Sequence, residues 1–194
     1  MSRAKAFFAA ALPLWLVLAL IATSVIGVSA LVGSGLLATN VLTASVSVES
    51  PNVTVTLELD AGWNMVSLPV MPEVPVSASV LSDVGFYQLV TWSGSGYVSA
   101  TSFEEGRGYW LLVLQATNLT VTGTPLSEVN LTLSPGWSMV GGPYSAVQAS
   151  EVFSSFYQLV TWSGTGYTMS SEFVPGMGYW VLVLEKTQIQ LPPT

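Results

Sequence analysis

Three sets of side chains in this 194-residue sequence could do chemistry. Glu104, Glu105 and Arg107 crowd one loop before Gly108, where paired carboxylates beside a guanidinium could share acid–base work. Trp63, Trp92, Tyr97, Tyr109 and Trp110 make an aromatic set that recurs as Trp137, Trp162, Tyr167, Tyr179 and Trp180. Flat rings of this kind either fill a core or form a platform on which a sugar stacks. Asn52, Asn118 and Asn130 each open an Asn-x-Thr triplet, the acceptor for an N-linked glycan.

The first set does not build into a catalytic site. The chain has no His and no Cys, so the commonest general base, the commonest metal ligands and every thiol nucleophile are missing. The loop that repeats the 104–107 segment holds Glu172, Val174, Pro175 and Met177, so the duplication keeps glycines and aromatics but not the charges. Solvated loop charges are the expectation. Asp60, Glu73 and Asp83 lack the spacing of a calcium loop, and the Gly-x-Gly-Tyr segments precede strands rather than a phosphate-cradling helix. We therefore expect no catalytic residue, no metal and no cofactor.

Composition narrows the class further. Hydrophobic residues make up 51% of the chain and charged residues 8%, about a third of the share in an ordinary soluble domain. Four Lys+Arg against eleven Asp+Glu give a net charge of −7. That is too few cations for a phosphate-binding patch, so nucleic acid is excluded as a partner.

These candidates must be positioned by what precedes and surrounds them. After Arg3 and Lys5 no charged residue occurs before Glu49, and Phe7–Val32 is 26 residues of apolar and small side chains. As a helix (residues 1–32 overall) it spans roughly 39 Å, against roughly 30 Å of bilayer hydrocarbon. The segment should meet a membrane at least transiently, with the basic end in the cytoplasm and the C-terminus outside. Three fates fit: a signal peptide cut after Ala30, where Val28-Ser29-Ala30 has the small-residue pattern; a pilin-like helix cut after Ala6; or an uncleaved anchor. Mature chains would begin at Leu31, Phe7 or Met1. Residues 33–52 read as a linker and first strand. Val41–Val48 alternates and is uncharged, so Val41, Leu42, Val46 and Val48 mark a candidate donor strand for a neighbouring subunit.

The remainder is a duplication. Phe86–Gly94 recurs letter for letter as Phe156–Gly164, and the same offset of 70 carries Gly106, Gly108, Tyr109 and Trp110 onto Gly176, Gly178, Tyr179 and Trp180. Gly62-Trp63-Asn64-Met65-Val66 matches Gly136-Trp137-Ser138-Met139-Val140 at offset 74, so the first copy carries four extra residues. We place the copies at residues 53–123 and 124–194, with Thr124-Pro125 in the joint. Each reads as short strands: Val53–Leu59, Trp63–Leu68, Tyr87–Trp92, Tyr97–Ser102, Tyr109–Leu114 and Leu119–Thr122 in the first. Ser93–Gly96 and Ser163–Gly166 read as hairpin loops, and Val76–Val84 and Ala146–Phe153 as helical turns. The unbroken runs Leu111–Leu114 and Val181–Leu184 suit central strands. The expected fold is mainly β: two tandem small β-rich units, sandwich- or barrel-like with a short helix each, after an N-terminal hydrophobic helix.

Two resemblances follow from these motifs. Gly62-Trp-Asn-Met-Val-Ser-Leu-Pro69, with Trp-x-Gly-x-Gly-Tyr and Gly-x-Gly-Tyr-Trp after it, resembles the "GWNLVSLP…GYW" repeat of secreted and cell-surface proteins of archaea and bacteria. The resemblance covers about 140 residues and implies a β-rich module at the cell surface, without an activity. The second copy departs from it where Gly141-Gly142-Pro143 replaces Ser67-Leu68-Pro69. Lys5-Ala6 before Phe7-Phe8 resembles the type IV prepilin signal, which implies an apolar helix packed in a filament core.

The function expected is that of a non-enzymatic extracellular structural protein, a homopolymeric subunit of a surface filament that is pilus-like or joined by donated strands. The other reading is a membrane-tethered adhesin that binds a glycan or a protein through Trp63, Trp92, Tyr97, Trp110 and their repeats. If those aromatics are core instead, Trp63→Ala and Trp137→Ala should each cost about 3–5 kcal/mol.

Overall fold

In the computed structural model, residues 51–192 are described. Ala6, Ala30, the 1–32 helix and the Val41–Val48 donor strand all lie outside them. Among the described residues no helix is long and apolar enough to cross a membrane.

The architecture is mainly β, built from several antiparallel sheets, none closed into a barrel. Strand β1 (Val53–Leu59) alternates along VTVTLEL, turning Val53, Val55, Leu57 and Leu59 inward and its threonines and Glu58 outward. It pairs along its whole length with β7 (Thr117–Pro125). On the solvent face the Thr54 and Thr122 hydroxyls lie 2.7 Å apart across the ladder. Between them in sequence, β2 (Gly62–Val66), β4 (Tyr87–Trp92), β5 (Tyr97–Ser99) and β6 (Tyr109–Val113) form a four-stranded sheet in the order β2-β6-β4-β5. β6 is a central strand, as the apolar run suggests, but it ends at Val113, and Leu114 beyond it is exposed. The Ser93–Gly96 loop closes the β4–β5 hairpin, with Ser93 donating its N–H to Gly96 O at 2.9 Å.

The second half repeats these pairings. β8 (Val129–Leu133) pairs with β15 (Thr187–Leu191). β9 (Gly136–Gly141), β11 (Tyr157–Trp162), β12 (Tyr167–Met169) and β14 (Gly178–Val183) form a sheet in the order β12-β11-β14-β9. A minor pair, β10 (Val147–Gln148) with β13 (Glu172–Phe173), corresponds to a single Val76–Ser102 bridge in the first half. The longer connection of the first half includes β3 (Val70–Met71), which pairs with Thr124 and Pro125. That pairing draws β7 two residues past the boundary placed at 123, so Thr124-Pro125 is strand rather than joint. Gly123 is required there, because a Cβ would stand 2.4 Å from Met71 O.

The helical turns are shorter than the sequence suggests: α1 is Ser77–Val80 and α2 Ala149–Val152. Neither has a side-chain cap at its N-terminus, and each is entered from an extended residue, Val76 or Gln148.

Two buried clusters form, with Met71 packing on the one around Tyr179 and Tyr144 reaching the one around Tyr109 as well as its own. Leu89, Leu111, Val113, Tyr109 and Phe103 lie under β1 and β7, and Leu159, Val181, Val183, Tyr179 and Phe173 under β8 and β15. The hydroxyls of the buried Tyr109 and Tyr179 accept the backbone N–H groups of Glu104 and Val174, each at 2.7 Å. Thr91 and Thr161 donate to Gly108 O and Gly178 O at 2.9 Å, tying β4 and β11 to the glycine loops.

Candidate functional site

Alternation on the four-stranded sheets decides where the aromatics go. In β4, Tyr87, Leu89 and Thr91 turn to the core, so Gln88, Val90 and Trp92 turn to the opposite face. Register places Met65, Trp110 and Val90 in one row across that face, Trp63, Leu112 and Gln88 in the next, and Trp92 beside Tyr97. The second sheet matches: Met139, Trp180 and Val160; Trp137, Leu182 and Gln158; Trp162 beside Tyr167.

These two aromatic faces pack against each other. Met65, Trp110 and Met139 are buried between the sheets as a third core, bordered by Trp92, Trp162 and Trp180. Trp110 meets Trp162 and Trp92 meets Trp180, both with centroids 5.5 Å apart and rings close to perpendicular. Trp63 and Trp137 extend the stacks to Trp110 and Trp180 at 6.4 and 6.3 Å. Neighbouring residues Tyr109 and Trp110 point to opposite faces yet are 1% and 7% exposed, because the second sheet covers the face away from the core. The Trp92 and Trp162 indole N–H groups are buried without a hydrogen-bond acceptor among the described residues. Each of those rings is flanked by two others in edge-to-face geometry, and an aromatic face is a weak N–H acceptor.

The duplicated glycines bring the sheets this close. A Cβ on Gly108 would stand 2.8 Å from Val140 O, and one on Gly178 2.9 Å from Val66 O. Gly106, at φ +67°, accepts the Gly141 N–H at 2.8 Å, and Gly176 O accepts that of Ser67 at 2.9 Å. The departure of the second half from Ser67-Leu68-Pro69 also has its cause here. Positions 67 and 141 are equivalent and abut: a Cβ on Gly141 would lie 2.7 Å from the Ser67 Cβ. Only one can carry a side chain. Ser67, buried, uses its hydroxyl to donate to Met177 O at 2.9 Å and to accept the Gly142 N–H at 3.1 Å.

Two of the open clefts, of about 550 and 440 Å³, lie on these aromatic rows and within the ~300–1,000 Å³ range of small-ligand sites. The larger is walled by Trp92, Trp137 and Trp180 with Gln158 and Val160. The smaller is walled by Trp162, Trp63 and Trp110 with Gln88 and Val90. Tyr97 and Tyr167 line both. Every wall residue of one cleft has its repeat in the other. Trp63 and Trp137 are 41% and 42% exposed and the two tyrosines 53% and 57%. Partial burial, and then the Tyr167 phenol beside it, raise the Tyr97 hydroxyl above the usual phenol range, so it stays a neutral donor and acceptor. The clefts carry no charged side chain.

Glu104, Glu105 and Arg107 line a neighbouring cleft that shares Trp92 and Trp137, and Arg107 donates to Trp92 O at 3.4 Å. Arg107 pairs with Glu104 at 2.6 Å on the surface. Among the described residues no three Asp, Glu, His or Cys side chains come together. Asn52, Asn118 and Asn130 are exposed, one just before β1 and two on the solvent faces of β7 and β8. What the sequence reading lacked was Gln88 and Gln158; their position one strand from Leu112 and Leu182, in the Trp63 and Trp137 rows, follows from alternation once the register is known.

No family model, no curated protein and no solved structure matches this chain.

Proposed function

We propose that this is a non-enzymatic cell-surface protein whose β unit is a binding module, with its ligand seated in the paired aromatic clefts. Residues 53–123 and 124–194 are two copies of one β fold, a reading supported by their matching strand orders. The apolar N-terminal segment carries the module out of the cell and holds it at the surface. One observation carries the binding reading: two open, uncharged clefts with identical aromatic walls. A half-exposed tryptophan on a sheet face leaves apolar area in water, a pattern that marks interaction sites. Among the described residues Glu104, Glu105 and Arg107 share a loop and Glu58 lies on the exposed face of β1, and the sheet rows hold no acid–base pair. The test displays the full chain on cells and measures retention on glycan and protein arrays. Retention should be lost when Trp63 and Trp137 are both changed to Ala while surface display is unchanged. Retention that survives the double change refutes the reading.

A filament subunit is the second reading, favoured by β5 and β12. Both are edge strands with every residue exposed, so each presents backbone groups to a donated strand such as Val41–Val48. Ser45→Pro should then abolish polymers seen by electron microscopy, and polymers that persist exclude donation by this segment.

A further inference from the structure

We infer that the clefts take a neutral saccharide, two sites per chain, an assignment that rests on the binding reading above. The lining decides the charge of the ligand. Neither cleft offers an ionised side chain, so a charged group entering would lose its water without a counter-charge. The polar groups decide its hydrogen bonding. Each cleft has one carboxamide, Gln158 or Gln88, and shares the Tyr97 and Tyr167 hydroxyls. Amide and phenol alike both donate and accept, as the hydroxyls of a sugar do. An extended proline-rich peptide offers carbonyl acceptors only, so it would leave the acceptor side of these amides and phenols unused.

The placement of these groups suits a ring with an apolar face and a hydroxyl edge. Trp137 and Gln158 flank Leu182 in one row across three strands, roughly 10 Å apart at the backbone. A ring lying on the exposed indole therefore turns its edge toward the amide. Trp63, Leu112 and Gln88 repeat the arrangement. Gln88 and Gln158 make no side-chain hydrogen bond among the described residues, so the fold leaves both amides free for a ligand. Elsewhere the two halves have diverged: Ser99 became Met169, Val98 Thr168 and Arg107 Met177, while every cleft position kept its residue. Because Tyr97 and Tyr167 belong to both clefts, occupancy of one site should alter affinity at the other.

The test is calorimetric titration of the full chain in lipid nanodiscs, with empty nanodiscs as the blank. The probes are cellohexaose, mannohexaose and chitohexaose as neutral sugars, hexagalacturonate as a charged one, and decaproline as a peptide. At least one neutral hexasaccharide should bind two per chain, with hexagalacturonate and decaproline silent. Gln158→Ala should weaken one of the two sites about tenfold or more and Gln88→Ala the other, the scale of a lost buried hydrogen bond. Both side chains lie outside the cores, so circular dichroism should not change. Preference for hexagalacturonate lost in the Trp63→Ala, Trp137→Ala double variant overturns the neutrality of the ligand, preference for decaproline lost in that variant overturns the saccharide assignment, and either keeps the binding reading. One sugar per chain, or sugar binding indifferent to both Gln changes, overturns the two-site assignment. Silence from every probe removes the saccharide assignment and leaves the binding reading to the array test, whereas binding that ignores the double Trp variant removes both.

Discussion

Gly141→Ser restores in the second half the residue the first half carries, and it should be harmful. The backbone there is not in the left-handed region, so a side chain is conformationally acceptable and would by itself gain about 0.5–1 kcal/mol over glycine in a strand. Against that, its Cβ would come within 2.7 Å of the Ser67 Cβ and 2.8 Å of Arg107 O, where two stretches of backbone already meet. Forcing atoms into a packed contact costs about 1–3 kcal/mol. The net loss should be about 1–2 kcal/mol, or roughly 2–8 °C in Tm for a unit of this size. Ser67→Gly alone should also cost about 1–2 kcal/mol, through the lost hydroxyl bonds to Met177 O and Gly142 N–H. The pair should be less damaging than the sum, since the second change removes the atom the first one strikes, with a coupling of about 1 kcal/mol or more. Guanidinium unfolding followed by tryptophan fluorescence measures all three, because six of the seven tryptophans lie in the β unit. A neutral Gly141→Ser, or strict additivity of the two changes, would show that positions 67 and 141 do not meet and would refute the packing of the sheets.

Trp110→Ala should cost about 3–5 kcal/mol as an emptied aromatic site, whereas Trp63→Ala, 41% exposed, should cost about 1–2 kcal/mol; equal costs in denaturant melts would contradict the burial described here. The Tyr109 and Tyr179 hydroxyls are pushed up to about 12, chiefly by burial, so the folded state holds protons that the unfolded state releases from about pH 10. Stability should be level below pH 10 and fall between pH 10 and 12, by up to about 3 kcal/mol per tyrosine; Tyr109→Phe should flatten that fall, and a pH profile unchanged by it would be the contrary result. Removing residues 1–52 should leave a folded monomer by light scattering, and unaided polymers from that truncation would mean that assembly resides in the β unit.

Much of the strand layout was legible because alternation and glycine punctuation are local signals. Val53–Leu59 and Tyr87–Trp92 match their strands end to end, and the apolar run from Tyr109 marks a central strand. Helix length was not legible, since Val76–Val84 has helix-compatible composition but no cap to hold more than one turn. The site was only half legible. Repetition singled out the aromatics, yet whether Trp110 faced water or a second sheet depended on contacts some 50 residues away in sequence. The one trace of that contact was the Ser67-to-Gly141 departure, which looks like drift until the two positions are seen to abut. Gln88 and Gln158 were silent for a different reason: a polar residue on a strand looks like ordinary surface until its row neighbours are known.

The central claim is that a ligand occupies the aromatic clefts, and the six indole N–H resonances of residues 51–192 report on it residue by residue. In a nitrogen–proton correlation spectrum of the full chain, selectively labelled at tryptophan and titrated with the neutral hexasaccharide that binds, the Trp63 and Trp137 signals should move most. The Trp92 and Trp162 signals, buried between the sheets, should follow with smaller shifts. Saturable binding that leaves Trp63 and Trp137 unmoved would place the ligand elsewhere and contradict the account.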